Sequence, residues 1–287
     1  MARFYQPTDM PMMKITMKHN WRRWAPFFYL SGLLVLPTLA QSSQVTPAQT
    51  APMQAAPVQA APMQVAPVQA ENHAPLLGSF EASYQIFRSG KQHGEASRYL
   101  KKLDQQYELG YHSKVSWFLF NDERHELSRF ALVDGRIQPT FYRMQRSGTG
   151  PNRHYELNLD WATKQLKVDK AQQLKQVQWN SQWLDLLSFH SQIVLDLKAG
   201  KTDFVYDVLN RHGETRNYKY KVTTEEWLSL PYGKIKALRI ERYGQSPDKQ
   251  VYAWIAPELD YLLVRLWQSE DNVEQFDVQL KSYQPTP

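Results

Sequence analysis

The stretch Val251–Trp267, "VYAWIAPELDYLLVRLW", decides the fold class. Val251, Ala253 and Ile255 alternate with Tyr252 and Trp254, the period of two that marks a strand. Pro257 ends the run, because proline has no amide hydrogen for a ladder. Glu258 and Asp260 mark a polar corner. Leu262, Val264 and Leu266 then resume an apolar row. The stretch reads as a hairpin late in an antiparallel sheet.

The same period runs outward from it in both directions. Phe80, Ala82, Tyr84 and Ile86 share one face of "FEASYQIFR". "GEASRYLKK", "YELGYHSKVSWFLF", "HELSRFALV", "IQPTFYRMQR", "RHYELNLDW" and "KQLKVDK" follow, with turn residues between them. Asp134-Gly135 is a strong two-residue hairpin signal. After a helix-like segment, "FVYDVL", "TRNYKYKVTTEE", "WLSLP", "KIKALRIERY" and "VEQFDVQLKSY" resume the strands. About a dozen strands joined by short turns predict a mainly β fold built as an antiparallel meander. A sheet of that size has to curl into an open or half barrel, or split into two layers.

One amphipathic helix is expected at about 181–198. Trp183, Leu186, Leu187, His190, Val194 and Leu197 recur at three- and four-residue steps. Asn180 or Ser181 can cap its start, and Lys198 with Gly200 suits its end. Asp185 is expected to favour the positive helix start, with Ser188 packed near the sheet.

The first 75 residues are of another kind. Lys18, His19, Arg22 and Arg23 precede an apolar run from Ala25 to Leu36, and "PTLA" offers Ala40 before Gln41. Residues 1–40 therefore read as a general secretion signal, with an uncleaved anchor as the other reading. Pro47, Pro52, Pro57, Pro62 and Pro67 then recur every five residues. Residues 41–75 are expected to form a disordered, extended spacer. Residues 76–287 form the single β-rich domain.

Composition narrows the function classes. The formal charge is +6. Arg3, Lys14, Lys18, Arg22 and Arg23 lie in the signal with only Asp9 against them. Thirty-four basic residues less five leaves 29, and 28 acidic less one leaves 27, so +2 remains. That balance gives no basis for nucleic-acid binding. There is no cysteine, which excludes disulfides, a thiolate metal site and a lipoprotein anchor. No nucleophile elbow, phosphate loop or zinc-protease motif occurs. His93, His112, His125, His154, His190 and His212 are scattered without ligand spacing. No catalytic residue, metal site or cofactor is therefore expected, and the protein is read as a non-enzyme.

Aromatic residues supply the remaining signal. "VSWFLF" and "YLLVRLW" are apolar on both faces, which fits a filled core or an apolar concave pocket. Trp117, Phe141, Trp183 and Trp254 are the candidate ligand-binding residues, for a lipid or an acylated chain. The alternative is an envelope scaffold that meets a protein partner through sheet edges or surface aromatics. Periplasmic localisation is expected, with membrane contact only through the N-terminal segment if it is uncleaved.

"FEASYQIFRSGKQHGEASRYLKK", "FALVDGRIQPTFYR", "LDLLSF", "LPYGKIKALRIERYG" and "VYAWIAPELDYLLVRL" occur in that order. Together they resemble the uncharacterised exported family called domain of unknown function 3108, over about Phe80 to Tyr283. The matching positions are Gly94, Gly135 with Pro139, Asp185 with Ser188, Gly233, and Trp254 with Pro257. Leu263 departs from the pattern, where the resemblance implies a proline. The resemblance carries no activity. The layout is also similar to that of periplasmic lipoprotein carriers, a likeness of fold that does not fix function.

Overall fold

The structure is a computed structural model that describes residues 77–169 and 173–286. The signal and spacer expected over residues 1–75 lie outside the described residues. The strands are β1 (Phe80–Arg88), β2 (Lys91–Leu103), β3 (Gln106–Trp117), β4 (Phe120–Val133), β5 (Arg136–Gly148), β6 (Arg153–Asp160), β7 (Gln165–Val168) and β8 (Gln173–Lys175). Then come β9 (Trp183–Leu184), the helix α1 (Phe189–Lys198), β10 (Asp203–Leu209), β11 (Thr215–Leu230), β12 (Gly233–Tyr243), β13 (Lys249–Ala256), β14 (Leu262–Glu270) and β15 (Val273–Pro285).

All fifteen strands belong to one sheet, which is not closed into a barrel. Its order is β8-β7-β6-β5-β4-β3-β2-β1-β15-β14-β13-β12-β11-β10-β9. Two meanders, β1 to β8 and β10 to β15, are thus joined by pairing of the first strand with the last. Phe80 lies opposite Pro285 and Ile86 opposite Val278. The β9–β10 pair is the parallel one.

The turns follow local chemistry. Asp134 and Gly135 have φ of 48° and 73°, both left-handed. Such a turn matches the right-handed twist of the strands it joins. The quoted hairpin turns through a 3-10 segment, Pro257–Leu259, followed by Asp260 and Tyr261 at φ of 54° and 60°. Asp260 is held there by an ion pair with Lys198 at the end of α1 and by the Gly78 amide.

Cross-strand register defines the two faces. Ile240, Ala253, Leu266, Val278, Ile86, Gly94 and Val115 form one continuous row. We call this the inner face. The sheet curls around it far enough that distant strands meet. The β10–β11 turn reaches β6 and β8, where His212 packs edge-on to Tyr155 and its carbonyl accepts from Lys175 Nζ. The Tyr232 amide likewise donates to the Leu280 carbonyl at 3.0 Å.

The helix begins later than its periodicity suggests. Residues 183–184 pair instead with Asp207 and Val208 as β9. Asp185 then turns the chain. Its Oδ1 accepts from the amides of Leu187 and Ser188, each at 2.8 Å. A side chain that takes those amides competes with the helical ladder until Phe189. The helix is buried along most of its circumference, as expected for one enclosed by protein. Gln192 Oε1 accepts from the Ile137 amide of β5, and Asp196 accepts from Tyr206 of β10. The helix therefore bridges the two meanders. Among the described residues, no helix is long and apolar enough to cross a membrane.

Candidate functional site

Strand alternation sends an unusual set of side chains inward. On β2, Ala96, Arg98 and Leu100 are all buried and share a face. Arg98 lies opposite Tyr111, and Tyr111 opposite Glu126. Arg124 and Ser128 sit on either side of Glu126 on β4, and Tyr142 of β5 pairs with Ser128. The helix segment adds Asp185, Ser188 and His190. The second meander adds Tyr206, Tyr218, Tyr220 and Arg242. Tyr218 and Tyr220 pack on Phe189, and the Arg242 guanidinium lies 3.9 Å from the Tyr218 ring centroid.

Most of these polar groups are satisfied. Tyr142 donates to Glu126 Oε2 at 2.8 Å, and Arg124 Nη1 lies 3.8 Å from Glu126 Oε1. Tyr84 donates to the Leu263 carbonyl at 2.9 Å. Burial pushes the Tyr84 and Tyr111 hydroxyls up to about 12 and raises the Glu126 carboxyl. Burial, helped by the charge of Arg98, holds His190 well below the usual imidazole range. His190 is therefore neutral at pH 7.

Arg98 is incompletely satisfied. It is 8% exposed. Its Nη2 meets His190 Nδ1 at 3.4 Å, and its Nε has no hydrogen-bond partner among the described residues. Burial lowers its affinity for the proton, and the partial compensation comes from Tyr84, Tyr111 and Glu126. A buried guanidinium normally requires a full set of acceptors. Here Glu126 is already engaged by Arg124 and Tyr142. The row continuing from Arg98, through Tyr111, Glu126, Met144 and Tyr155, becomes partly exposed. Leu266 and Ala253 are partly exposed on the same face, between the buried Ile240 and Val278. Arginine and tyrosine donors beside apolar inner-face residues can hold an anionic group attached to an apolar body.

The buried Asp, Ser and His do not form a hydrolytic arrangement. Ser128 Oγ donates to Asp185 Oδ2 at 2.6 Å. Ser188 Oγ accepts from the Asp185 amide at 3.0 Å. His190 Nδ1 faces Arg98 Nη2. A serine hydroxyl bonded to a carboxylate, with no imidazole to take its proton, is not activated in the manner of a triad.

The four aromatics singled out by sequence lie in different places. Trp117 is at the end of β3, beneath the Arg88 guanidinium and beside His93. Phe141 lies opposite Arg129 on the face away from the inner row, flanked by the Arg129 and Arg143 guanidinium groups. Trp183 is buried against Trp179 and donates to Thr215 Oγ1 at 2.8 Å. Trp254 also faces away from the inner row. It donates to Glu226 at 2.7 Å and lies under Arg265. The four do not converge on one pocket. The inner polar set had a readable signal, an arginine between alanine and leucine on the buried face of β2.

A family model described as "Protein of unknown function (DUF3108)" matches residues 79–281. The chain belongs to that family. No curated protein matches it. It is similar in structure to the beta-barrel-like protein of domain of unknown function DUF1849 from Brucella abortus. That likeness has a TM-score of 0.54 and 8% identity, and covers 74% of this chain and 99% of that one. A chain described as a "putative lipoprotein" from Parabacteroides distasonis aligns at a TM-score of 0.29 and 12% identity, over 73% of this chain and 97% of that one.

Proposed function

Starting from membership in a family with no assigned activity, we propose that this is an exported, non-enzymatic domain that binds an amphiphile. The ligand is a fatty acid or another acylated envelope lipid with an anionic head. Its head meets Arg98, and its chain lies along the inner face near Leu266 and Ala253. The observation that carries this reading is Arg98, buried between Ala96 and Leu100 on the inner face of β2 with Nε unpaired. The secretion-signal pattern of residues 18–41 supports export, with the periplasm as the proposed destination.

The test is titration of the full chain with a fluorescent fatty acid. Saturable uptake is expected, displaced by unlabelled fatty acid. Arg98→Met should weaken it by about tenfold or more, the loss of a charge-assisted pair, while Arg98→Lys retains part of it. A buried arginine replaced by an apolar residue of similar length often leaves folding intact. Wild-type protein without saturable uptake, or equal uptake by folded Arg98→Met protein, refutes the proposal.

A second reading, a protein-interaction module, is favoured by one feature. Phe118 and Leu119, at the tip of the β3–β4 hairpin, are 91% and 79% exposed. Adjacent exposed apolar residues suit a docking contact. A partner cross-linked through position 118 in the envelope, together with absent lipid uptake, would select this reading.

A further inference from the structure

The face opposite the lipid-facing row carries a feature independent of it. His112 on β3 and His125 on β4 are directly paired across the hairpin, and their rings stack with centroids 4.1 Å apart. Glu123 lies two residues before His125, hence on the same face. One of its oxygens, Oε1, is 3.1 Å from His112 Nε2 and 3.4 Å from His125 Nε2. The three ligand atoms all fall within 4.8 Å of one another.

These separations have a chemical meaning. Zinc bonds to imidazole nitrogen and carboxylate oxygen are about 2.0–2.2 Å long, so the edges of a tetrahedral site are about 3.3–3.5 Å. The two nitrogen-to-oxygen distances are already close to such edges. Both Nε2 atoms approach the same carboxylate oxygen of Glu123. The two strands hold the spacing, since the cross-strand pair is fixed by an unbroken ladder from Gln106 to Trp117. Lys114 lies directly opposite Glu123 on β3.

We propose that His112, Glu123 and His125 form a binding site for one divalent late transition-metal ion, of which Zn²⁺ is the probe. Each imidazole binds the ion through Nε2 as the neutral tautomer that carries its proton on Nδ1, and a ring that starts as imidazolium releases its Nε2 proton to solvent. Glu123 supplies a carboxylate oxygen. Three protein ligands on a partly exposed surface leave a further position open to water or an exogenous ligand, as in open rather than structural zinc sites. Two imidazoles and one carboxylate favour zinc, copper or nickel over calcium or magnesium.

Calorimetric titration of chelator-stripped full-length protein with Zn²⁺ alone tests this. One saturable site per chain is expected, with no response to Mg²⁺. His112→Ala and His125→Ala should each lower affinity by at least about tenfold, since even groups behind the ligands cost that much. Glu123→Gln should weaken it, and His154→Ala on β6 should leave it unchanged. Circular dichroism confirms that each variant is folded. Zn²⁺ binding that persists in the folded His112→Ala/His125→Ala double variant overturns the proposal. So does wild-type protein with no saturable site, or Glu123→Gln with undiminished affinity.

Discussion

Replacing Asp185 by asparagine should abolish a specific part of the pH dependence of stability. Asp185 is fully buried. Burial raises its carboxyl from 3.8 to about 6, against hydrogen bonds from Ser128, Ser188 and Leu187 that lower it. The group therefore binds its proton more tightly in the folded state than in the unfolded chain. Between about pH 4 and 6 the native protein holds a proton that the unfolded chain has released, so stability rises as pH falls through that window. A shift of about two units corresponds to about 3 kcal/mol in total, of which about 1.4 kcal/mol appears between pH 7 and 5. Asparagine keeps the Oδ1 acceptor for the Leu187 and Ser188 amides, and its amide group can donate to Ser128 Oγ. Asp185→Ala instead strands three buried donors, a loss on the order of 3 kcal/mol or more. Urea unfolding at pH 5, 6 and 7 measures all three proteins. The wild-type curve should gain about 1.4 kcal/mol over Asp185→Asn between pH 7 and 5. Parallel pH profiles would refute the assignment of a raised, desolvated carboxyl to Asp185.

Other perturbations follow from the same structure. Gly94→Ala places a Cβ 2.2 Å from the Lys114 carbonyl oxygen and 2.9 Å from Val115 Cα. Urea unfolding should show a loss of about 1–3 kcal/mol, because backbone cannot step aside. Tyr206→Phe removes the 2.7 Å hydrogen bond to buried Asp196. Denaturant midpoints should fall by the equivalent of about 1.5–3 kcal/mol, the range for bonds to a charged group. Lys281→Ala removes a 3.0 Å pair with Glu95 whose partners are 47% and 61% exposed. Its unfolding midpoint should move by less than the equivalent of about 0.5 kcal/mol.

Strand alternation made most of the sheet legible before any coordinates. The quoted hairpin, the Asp134-Gly135 turn and the run of antiparallel strands all depend on neighbours in sequence. The joining of β1 to β15 depends on residues some 200 positions apart, as in the Ser83–Ser282 contact, and no local pattern encodes it. This left the choice between a half barrel and two layers open. The helix start was misplaced because periodicity cannot show that Asp185 captures two amides. Aromatic content does not mark the inner polar set, whose sign in the sequence is Arg98 between Ala96 and Leu100 on one face of β2. The paired histidines were also within reach. Trp117 pairs with Phe120 around the β3–β4 turn, so positions equally far from it pair too, and His112 and His125 are each five residues further. Histidine spacing along the chain hides this, because the ligands come from opposite sides of a hairpin.

The inner face is central to this account, and native mass spectrometry of the full chain purified from the envelope of its producing cells tests it most directly. The expected result is a protein ion carrying one lipid-mass adduct that is anionic on release, with the adduct greatly reduced in folded Arg98→Met protein. A bare polypeptide mass for the wild-type chain, or an adduct equally abundant in both proteins, would contradict the claim that Arg98 receives the head of a bound amphiphile.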